Sequence, residues 1–289
     1  MVPTLIAALL LVAHTASAQT SLQADVHALI TASGADVAVA MRTLDGTGEL
    51  LIQPDEAFHA ASTMKVPVMI ELFNQARAGR LTLDDQLPIV NEFRSIVDGS
   101  PYTLSVGDDS DAAVYAHAGG SLSLRSLCDA MITVSSNFAT NLRIEHLGVA
   151  RIRQIVADLG ADGMQVLRGV EDIKAFERGL SNSTTARALL TLLEAIARGR
   201  AVDDASSRAM VAILQRQQFN EAIPAGVPAG TPVAHKTGSI TRINHDAAIV
   251  YASRPYVLVI LTRGIDDHAE SAQLMARIAR RVHDAVVQH

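Results

Sequence analysis

Residues 233–263 read VAHKTGSITRINHDAAIVYASRPYVLVILTR, a stretch with a pronounced β-strand pattern. β-Branched and aromatic side chains recur along it, and two breaks divide it into predicted strands at 233–239, 244–252 and 256–263. Because the connections between the strands are short, we expect them to pair antiparallel. An amphipathic helix is predicted at 267–287, where apolar residues repeat every four positions.

A second set of predicted strands lies near the N-terminus. Residues 36–44 have an alternating strand pattern, 45–48 read DGTG, and 49–53 resume the pattern. This arrangement is typical of a β-hairpin. Three antiparallel strands alone would leave an apolar face uncovered, so we expect the hairpin to join the C-terminal strands in one sheet.

The middle of the chain has helical spacing instead. After a short helix at 22–33, the predicted helices are 64–78, a segment around 124–131, 137–147, a shorter helix that ends at Gly160, 184–198 and 204–217. Ser183 or Thr184 is predicted to cap the helix that ends at 198, and Asp203 or Asp204 the next. Residues 161–183 show no clean period and are predicted to form a long functional loop.

The composition of the 289-residue chain excludes several classes of protein. Apolar residues make up 49% and charged residues 19%, so a sizeable core can form. A net charge of −6 argues against a surface for nucleic acid or anionic membranes. The single cysteine, Cys128, excludes a disulfide scaffold and is predicted to lie in the core.

The sequence contains no recognisable metal-binding or cofactor-binding motif. The ten histidines form neither H-x-H nor H-E-x-x-H, and no glycine-rich phosphate loop is found. The acidic stretch 108–111 lacks the glycine and glutamate of a calcium loop and is interpreted as a solvated loop. We therefore expect no metal and no cofactor.

The N-terminus has the pattern of an export signal. An apolar run at 5–13 is followed by Ala16-Ser17-Ala18, which predicts a signal peptide over 1–18, cleaved after Ala18. The run is too short to span a membrane. We expect a secreted or periplasmic protein, with 19–289 as one catalytic domain, a monomer that is free of the membrane.

Three short motifs carry candidate chemistry. Ser62-Thr63-Met64-Lys65 begins a predicted helix, where the i, i+3 spacing puts the serine and the lysine on one face. A serine is a poor nucleophile until a base takes its proton, and a desolvated lysine can be that base. Ser135-Ser136-Asn137 lies between two predicted helices, and Lys236-Thr237-Gly238 lies on a predicted strand.

Each motif alone is common, as a surface helix, a helix cap or a strand. The lysine count adds weight, because only Lys65, Lys174 and Lys236 are lysines among 24 basic residues. Arginine cannot be deprotonated in a protein, whereas a buried lysine can be. Two of the three lysines lie in the motifs.

Together, in this order, the motifs resemble the signature of class A β-lactamases and penicillin-binding proteins. The resemblance implies an α/β (α+β) fold: an antiparallel sheet of about five strands flanked by helices, with an inserted all-helical lobe. The sheet lobe would comprise about 19–58 plus 200–289, and the helical lobe about 59–199. The substrate would be a small-molecule β-lactam or a D-Ala-D-Ala peptide.

The resemblance also implies roles for single residues. Ser62 would be the acylated nucleophile, Lys65 its proton acceptor and Ser135 a proton shuttle to the leaving nitrogen. The implied substrate-binding residues are Asn137 for a carbonyl, Lys236 and Thr237 for a carboxylate, Ser239 and Ser62 for the oxyanion through their backbone N–H groups, and Arg242 for the carboxylate again. Glu171 would activate the deacylating water, with Glu177 as second candidate.

Several positions depart from the family pattern. The family has E-x-x-L-N where this chain reads Glu171-Asp172-Ile173-Lys174-Ala175. Ser183 stands where an aspartate would pair with Arg168 to hold the loop, and Ser136 replaces the aspartate of S-D-N. These changes affect the loop and lobe packing rather than acylation of Ser62. A β-lactamase is therefore predicted, with two alternatives: a penicillin-binding D-Ala-D-Ala peptidase with slow deacylation, or a β-lactam-binding relative without hydrolysis.

Overall fold

The computed structural model describes residues 21–288 of the chain. The helices are α1 (21–33), α2 (Lys65–Arg77), α3 (Leu124–Thr133), α4 (Asn137–Leu147), α5 (Val149–Asp158), α6 (Ile173–Glu177), α7 (Ala186–Ala197), α8 (Asp204–Leu214), α9 (Ile223–Gly226) and α10 (His268–Val287). Single 3₁₀ turns occur at Ala61–Met64 and Tyr115–His117.

The strands are β1 (Asp36–Thr43), β2 (Glu49–Ile52), β3 (Phe58–His59), β4 (Gln86–Pro88), β5 (Phe93–Arg94), β6 (Pro101–Tyr102), β7 (Ser121–Ser123), β8 (Ser183–Thr184), β9 (Val233–Ile240), β10 (Ile243–Val250) and β11 (Tyr256–Arg263). Five of them form one sheet in the order β2-β1-β11-β10-β9, and every neighbouring pair is antiparallel. This confirms that the N-terminal hairpin and the C-terminal strands share a sheet.

The sheet separates two apolar cores, and its central strand β11 belongs to both. Alternate side chains of a strand point to opposite faces. Val257 and Val259 pack into the core that contains α2, α3, α7 and α8, whereas Leu258 and Ile260 pack into the core with α1, α9 and α10. All four side chains are fully buried. Strand β11 therefore lies between the two cores and contributes side chains to each.

The helices between the two halves of the sheet surround α2. Helices α3, α4, α5 and α8 all pack against it. Helix α7 packs directly on β1, β10 and β11. The division into a sheet lobe and a helical lobe near residue 199 stays a prediction. Helix α7 falls within the predicted helical lobe, but it packs on the sheet itself.

Local structure corrects two details of the sequence interpretation and decides between two predicted alternatives in a third. The 161–183 loop contains α6, because Asp172 accepts a hydrogen bond from the Ala175 N–H at 3.2 Å and caps one short turn. The cap of α7 is Thr185 rather than Ser183 or Thr184, since those two residues pair with β3 as strand β8. Asp203 caps α8, as one of the two predicted alternatives.

The irregular stretch 88–120 contains one small strand pair, β5 with β6, and is flanked by a second, β4 with β7. Across 21–288, no helix is both long enough and apolar enough to cross a membrane. The predicted signal segment 1–18 and its cleavage site lie outside the described residues.

Candidate active site

The three sequence motifs meet around a cavity of about 590 Å³. These motifs line the cavity together with the loop before α9 and the first turns of α10. Its lining includes Ser62, Ser135, Asn137, Thr237, Gly238, Ser239, Asn244, Phe219, Glu221 and His268. Residues more than a hundred positions apart thus face one space of a size suited to a small-molecule ligand.

Ser62 lies in the 3₁₀ turn that leads into α2. The turn begins at Ala61, whose φ of +44° is unusual for a residue with a side chain. The Thr63 N–H and Oγ1–H both donate to the Ala60 carbonyl, at 3.1 and 2.6 Å. Thr63 is buried, whereas Ser62 is half-buried and borders the cavity.

Gly238 allows strand β9 to pass directly against this turn. A Cβ atom at position 238 would lie 3.0 Å from the backbone nitrogens of both Ser62 and Thr63. Only glycine fits such a close approach of two backbones without a shift. Ser239 follows on the strand and borders the cavity beside Ser62. The oxyanion role of the Ser62 and Ser239 N–H groups stays a prediction.

Lys65 is completely buried at the start of α2. Its Nζ donates to the Ser135 carbonyl at 2.6 Å, to Ser135 Oγ at 3.1 Å and to Asn137 Oδ1 at 3.0 Å. Burial lowers the pKa of Lys65 to about 7, although the charges of Asp109 and Glu171 oppose the shift. A substantial neutral fraction at neutral pH fits a lysine that accepts a proton.

Two amines converge on the Ser135 hydroxyl. Lys236 Nζ donates to Ser135 Oγ at 3.0 Å, in addition to Lys65 Nζ. Burial, and then the charge of Lys65, place the pKa of Lys236 well below its ordinary value. Because both lone pairs of the Ser135 oxygen are occupied, its own proton can be donated towards the cavity. Ser135 is held with a φ of +58°, which is also unusual for a serine.

Glu171 reaches this network through Asn137. Asn137 Nδ2 donates to Glu171 Oε1 at 2.8 Å, and Asn137 Oδ1 accepts from Lys65. Burial raises the pKa of Glu171, while the bond from Asn137 lowers it. Glu177, the second candidate, is exposed on α6.

Asp109 contributes to the site from the loop that the sequence reading interpreted as solvated. Its carboxylate accepts from the backbone N–H groups of Asn137 at 2.9 Å and Phe138 at 2.8 Å, and from the Tyr115 hydroxyl at 3.1 Å. It therefore satisfies the first turn of α4 and fixes Asn137. One indication of this role was available in the sequence. Ser136 replaces the aspartate of the S-D-N motif, and a carboxylate that is absent from a motif can be supplied by a facing loop.

The 161–183 loop is held without the aspartate that the sequence lacks at Ser183. Asn182 Oδ1 accepts from the N–H groups of Leu167 at 2.8 Å and Arg168 at 3.2 Å, and its Nδ2 donates to the Arg168 carbonyl at 3.0 Å. The Arg168 side chain donates to the Leu180 carbonyl at 2.8 Å. The side-chain amide of Asn182 thus holds the loop where the family pattern has an ion pair. Sequence reasoning missed this role.

A buried carboxylate connects the same loop to the β5–β6 hairpin. Asp172 accepts from Ser95 Oγ at 2.8 Å and from the Ile96 N–H at 2.9 Å. Lys174 pairs with Asp98 at 2.8 Å on the surface. The departures from the family pattern at Lys174 and Ala175 therefore lie on α6, where Lys174 is exposed and Ala175 is buried.

Arg242 does not point to the cavity. It occupies the turn between β9 and β10, is exposed, and pairs with Asp266 at 3.0 Å. Asn244, two residues further on and opposite Ser239, lines the cavity instead. Asn244 is 6% exposed, and its Nδ2 has no hydrogen-bond partner within the described part of the chain. Asn244 thus contributes to the cavity wall, although its side-chain nitrogen is buried, and Arg242, the predicted guanidinium, does not.

Two buried histidines near the site, His235 and His245, serve the framework. His235 on β9 bonds Asp246 on β10 at 2.9 Å and Asn220 at 3.2 Å. Burial lowers the pKa of His245 to about 4, so this ring is neutral. Between residues 21 and 288, no group of three or more histidine, cysteine or acidic side chains could hold a metal ion. Cys128 is buried.

Sequence comparison identifies a matching family model and related β-lactamases. The model of the "Beta-lactamase enzyme family" matches residues 21–286. β-Lactamase CTX-M-97 of Escherichia coli is 25% identical over 268 residues, which cover 91% of this chain and 88% of that protein. The β-lactamase of Bacillus licheniformis is 27% identical over 242 residues, 81% of this chain and 74% of that protein.

Solved structures have the same fold. The structure of PBP-A superposes with a TM-score of 0.81 and 26% identity, covering 93% of this chain and 97% of that one. A mutant of PBP-A, solved as an acyl-enzyme complex with penicillin G, superposes with a TM-score of 0.80 and 26% identity over the same shares of the two chains.

Proposed function

The chain belongs to the β-lactamase enzyme family, and we propose that it is a class A-type serine hydrolase that opens β-lactam rings through an acyl intermediate on Ser62. The observation that carries this proposal is the convergence of Lys65 and Lys236 on Ser135 Oγ, beside Ser62 and in one cavity. Such an arrangement can move a proton from a nucleophile to a leaving group.

Acylation begins at the Lys65 amine. In its neutral form, which the lowered pKa makes accessible, Lys65 takes the proton of Ser62 Oγ while the oxygen attacks the lactam carbonyl carbon. The negative charge on the carbonyl oxygen would be stabilised by the backbone N–H groups of Ser62 and Ser239. The close packing at Gly238 keeps these two backbones together.

Ring opening needs a proton on the departing nitrogen. The C–N bond breaks as Ser135 donates its hydroxyl proton to that nitrogen, and the Lys65 ammonium returns a proton to Ser135 through their 3.1 Å contact. Lys236 and Thr237 hold the substrate carboxylate, and Asn137 holds an amide carbonyl of the substrate. The product of this half-reaction is an ester on Ser62.

Deacylation uses Glu171. Its carboxylate takes a proton from a water molecule, and the water oxygen attacks the ester carbonyl. The Ser62 oxygen departs with a proton that Glu171 returns through the neutral Lys65 amine, so that Lys65 ends neutral and Glu171 ends ionised. The 2.8 Å bond from Asn137 keeps the Glu171 carboxylate next to the acylation residues. Burial raises the pKa of this carboxylate, which makes it a stronger base when ionised.

Hydrolysis of a chromogenic cephalosporin by residues 19–289 tests the proposal. Ser62→Ala should abolish turnover. Glu171→Gln should lower kcat by about 10² or more while an acyl-enzyme accumulates, because general-base catalysis typically contributes that much. Glu177→Gln is the matched control, an exposed glutamate near the same loop, and should match the unsubstituted protein. Full activity of Glu171→Gln would contradict the role of Glu171.

A D-Ala-D-Ala peptidase with slow deacylation is the second candidate. It is favoured by Ala175, a buried methyl group where the family places an asparagine that helps to hold the water. Release of D-alanine from a diacylated D-Ala-D-Ala peptide, together with a long-lived penicillin adduct, would support it.

We also infer that the protein is exported and works as a monomer, with the segment 1–18 removed after Ala18. The apolar run 5–13 and the A-x-A sequence support export. N-terminal sequencing of the secreted or periplasmic protein should begin at Gln19, and retention of Met1 would contradict the inference. Light scattering of the same sample measures the mass in solution.

A further inference from the structure

His59 lies three residues before Ser62, at the end of strand β3. Its Nδ1 accepts a hydrogen bond from the Ala61 N–H at 3.0 Å. Because Nδ1 accepts, the single proton of the neutral ring is on Nε2. The ring is half-buried, so this bond is only partly replaceable by water.

The bond holds a residue whose backbone is strained. Ala61 has a φ of +44°, in the left-handed region that residues with a Cβ rarely adopt. Such a conformation persists only where the surroundings fix it. On the N-terminal side of Ser62, the Ala60 N–H is held by the Asn182 carbonyl at 2.8 Å and the Ala61 N–H by His59.

The backbone of His59 is fixed independently of its ring. Its carbonyl accepts from His245 Nε2 at 2.9 Å, and the residue pairs with Ser183 across β3 and β8. A side-chain substitution therefore removes the ring acceptor while these backbone contacts remain available.

The surroundings keep the ring neutral. Burial, and then the positive charge of Arg168 on the 161–183 loop, lower the pKa of His59. From β10, the neutral ring of His245 faces the same residue. The described chain shows no carboxylate paired with the His59 ring.

We propose that His59 is a positioning residue for the nucleophile, and that its neutral ring holds Ala61 in the conformation that presents Ser62 for acylation. Protonation of Nδ1 would turn the acceptor into a donor that faces the Ala61 N–H, so the turn would lose its support in acid. The proposal rests on the proposed function, because acylation of Ser62 is the step that the turn controls.

Two substitutions at one position separate the acceptor from the bulk of the ring. In His59→Asn, the side-chain oxygen can accept the same N–H two residues ahead and cannot be protonated in this range. His59→Leu has no acceptor. Single-turnover acylation by penicillin G is measured from pH 5 to 8 for both variants and the unsubstituted protein.

At pH 8, His59→Asn should acylate within about twofold of the unsubstituted protein, and His59→Leu about tenfold more slowly, as expected for one lost hydrogen bond. As the pH falls through the His59 pKa, the rate of His59→Asn relative to the unsubstituted protein should rise several-fold. The effect of Lys65 titration on the acylation rate cancels in this ratio, because Lys65 is present in both proteins. Equal pH profiles for all three proteins would overturn the proposal.

A second measurement does not depend on catalysis. In the unsubstituted protein, the ¹H–¹⁵N resonance of the Ala61 amide should titrate with the His59 ring, and this dependence should vanish in His59→Asn. If no β-lactam acylates the protein but the Ala61 amide still follows His59, the proposed function fails and the structural role stands. An Ala61 amide that ignores the His59 titration overturns the proposal even where His59→Leu fails to fold.

Discussion

Lys65 and Lys236 illustrate how a single residue type can be diagnostic. The chain has only three lysines among 24 basic residues, and these two are the buried amines of the site. Both have lowered pKa values because they are desolvated, a change that arginine cannot use. Lys174, the third lysine, forms an exposed pair with Asp98 that arginine could also form. The composition signal was therefore informative at two positions of three.

The pH dependence of acylation tests the role of Lys65. The neutral amine accepts the proton, so its lowered pKa of about 7 predicts an acylation rate that rises through that pH and levels off above it. Stopped-flow measurement of penicillin acylation gives the profile. Lys65→Arg should lose acylation at every pH, because the guanidinium keeps its proton. A rate that falls as the pH rises from 6 to 8 would contradict the assignment.

Asn244 and Arg242 form a matched pair for substrate binding. Asn244→Ala removes a side-chain amide from the cavity wall opposite Ser239 and should raise KM a few-fold with a smaller effect on kcat, because it reshapes the wall and leaves the acylating groups in place. Arg242→Ala removes a guanidinium that pairs with Asp266 outside the cavity and should leave KM unchanged. The opposite pattern would restore the sequence-based assignment of Arg242.

Among the secondary-structure elements, the longer helices and the strands of the main sheet were predicted, whereas α6 and the two-residue strands were not. Helices α2, α4 and α10 fall within a residue or two of their predicted positions, because each shows several turns of apolar periodicity. Helix α6 has five residues, too few to show a period. The cap of α7 could not be chosen among three successive hydroxyl residues, since the pairing of β8 with β3 decides it.

The 161–183 loop supplies a prediction at this scale. Asn182→Ala removes three hydrogen bonds and leaves the backbone groups of Leu167 and Arg168 without partners, so it should destabilise the protein by about 2–3 kcal/mol. Because the loop carries Glu171, deacylation should slow more than acylation. Thermal melting and pre-steady-state kinetics with penicillin measure the two effects.

Asn182→Asp is the control for the loop. It keeps an oxygen for the Leu167 and Arg168 N–H groups but cannot donate to the Arg168 carbonyl, so its effect should be smaller than that of Asn182→Ala. If both variants slow acylation and deacylation equally, the loop does not act through Glu171.

The whole molecule depends on a sheet assembled from both ends of the sequence. Its outline was predictable, because an uncovered apolar face on the C-terminal strands requires a partner hairpin. The contacts made by Asp109 and Asn182 were not, because each depends on a neighbour 14 or more residues away in sequence. Asp109 lies 28 residues from Asn137, and the periodicity around it carries no information about that contact.

Cooperative unfolding is the prediction at this scale. Leu258→Ala and Val259→Ala would each leave a cavity, one in each core. Each should lower the free energy of unfolding by about 2–4 kcal/mol, because both side chains are fully buried. Since β11 is common to both cores, urea titrations followed by far-UV circular dichroism and by β-lactam turnover should give one coincident transition. Separate transitions for the two signals would show that the two cores unfold independently.

The central claim is that Ser62 is acylated and then freed by water. An intact-mass time course of the 19–289 chain with penicillin G tests it most directly, with Ser62→Ala as the reference. We predict an adduct of one penicillin that appears early, maps to Ser62 and disappears as hydrolysed penicillin accumulates, and that never forms in Ser62→Ala. An adduct that persists would contradict hydrolysis and favour the peptidase. The absence of any adduct, or its formation in Ser62→Ala, would contradict the nucleophile itself.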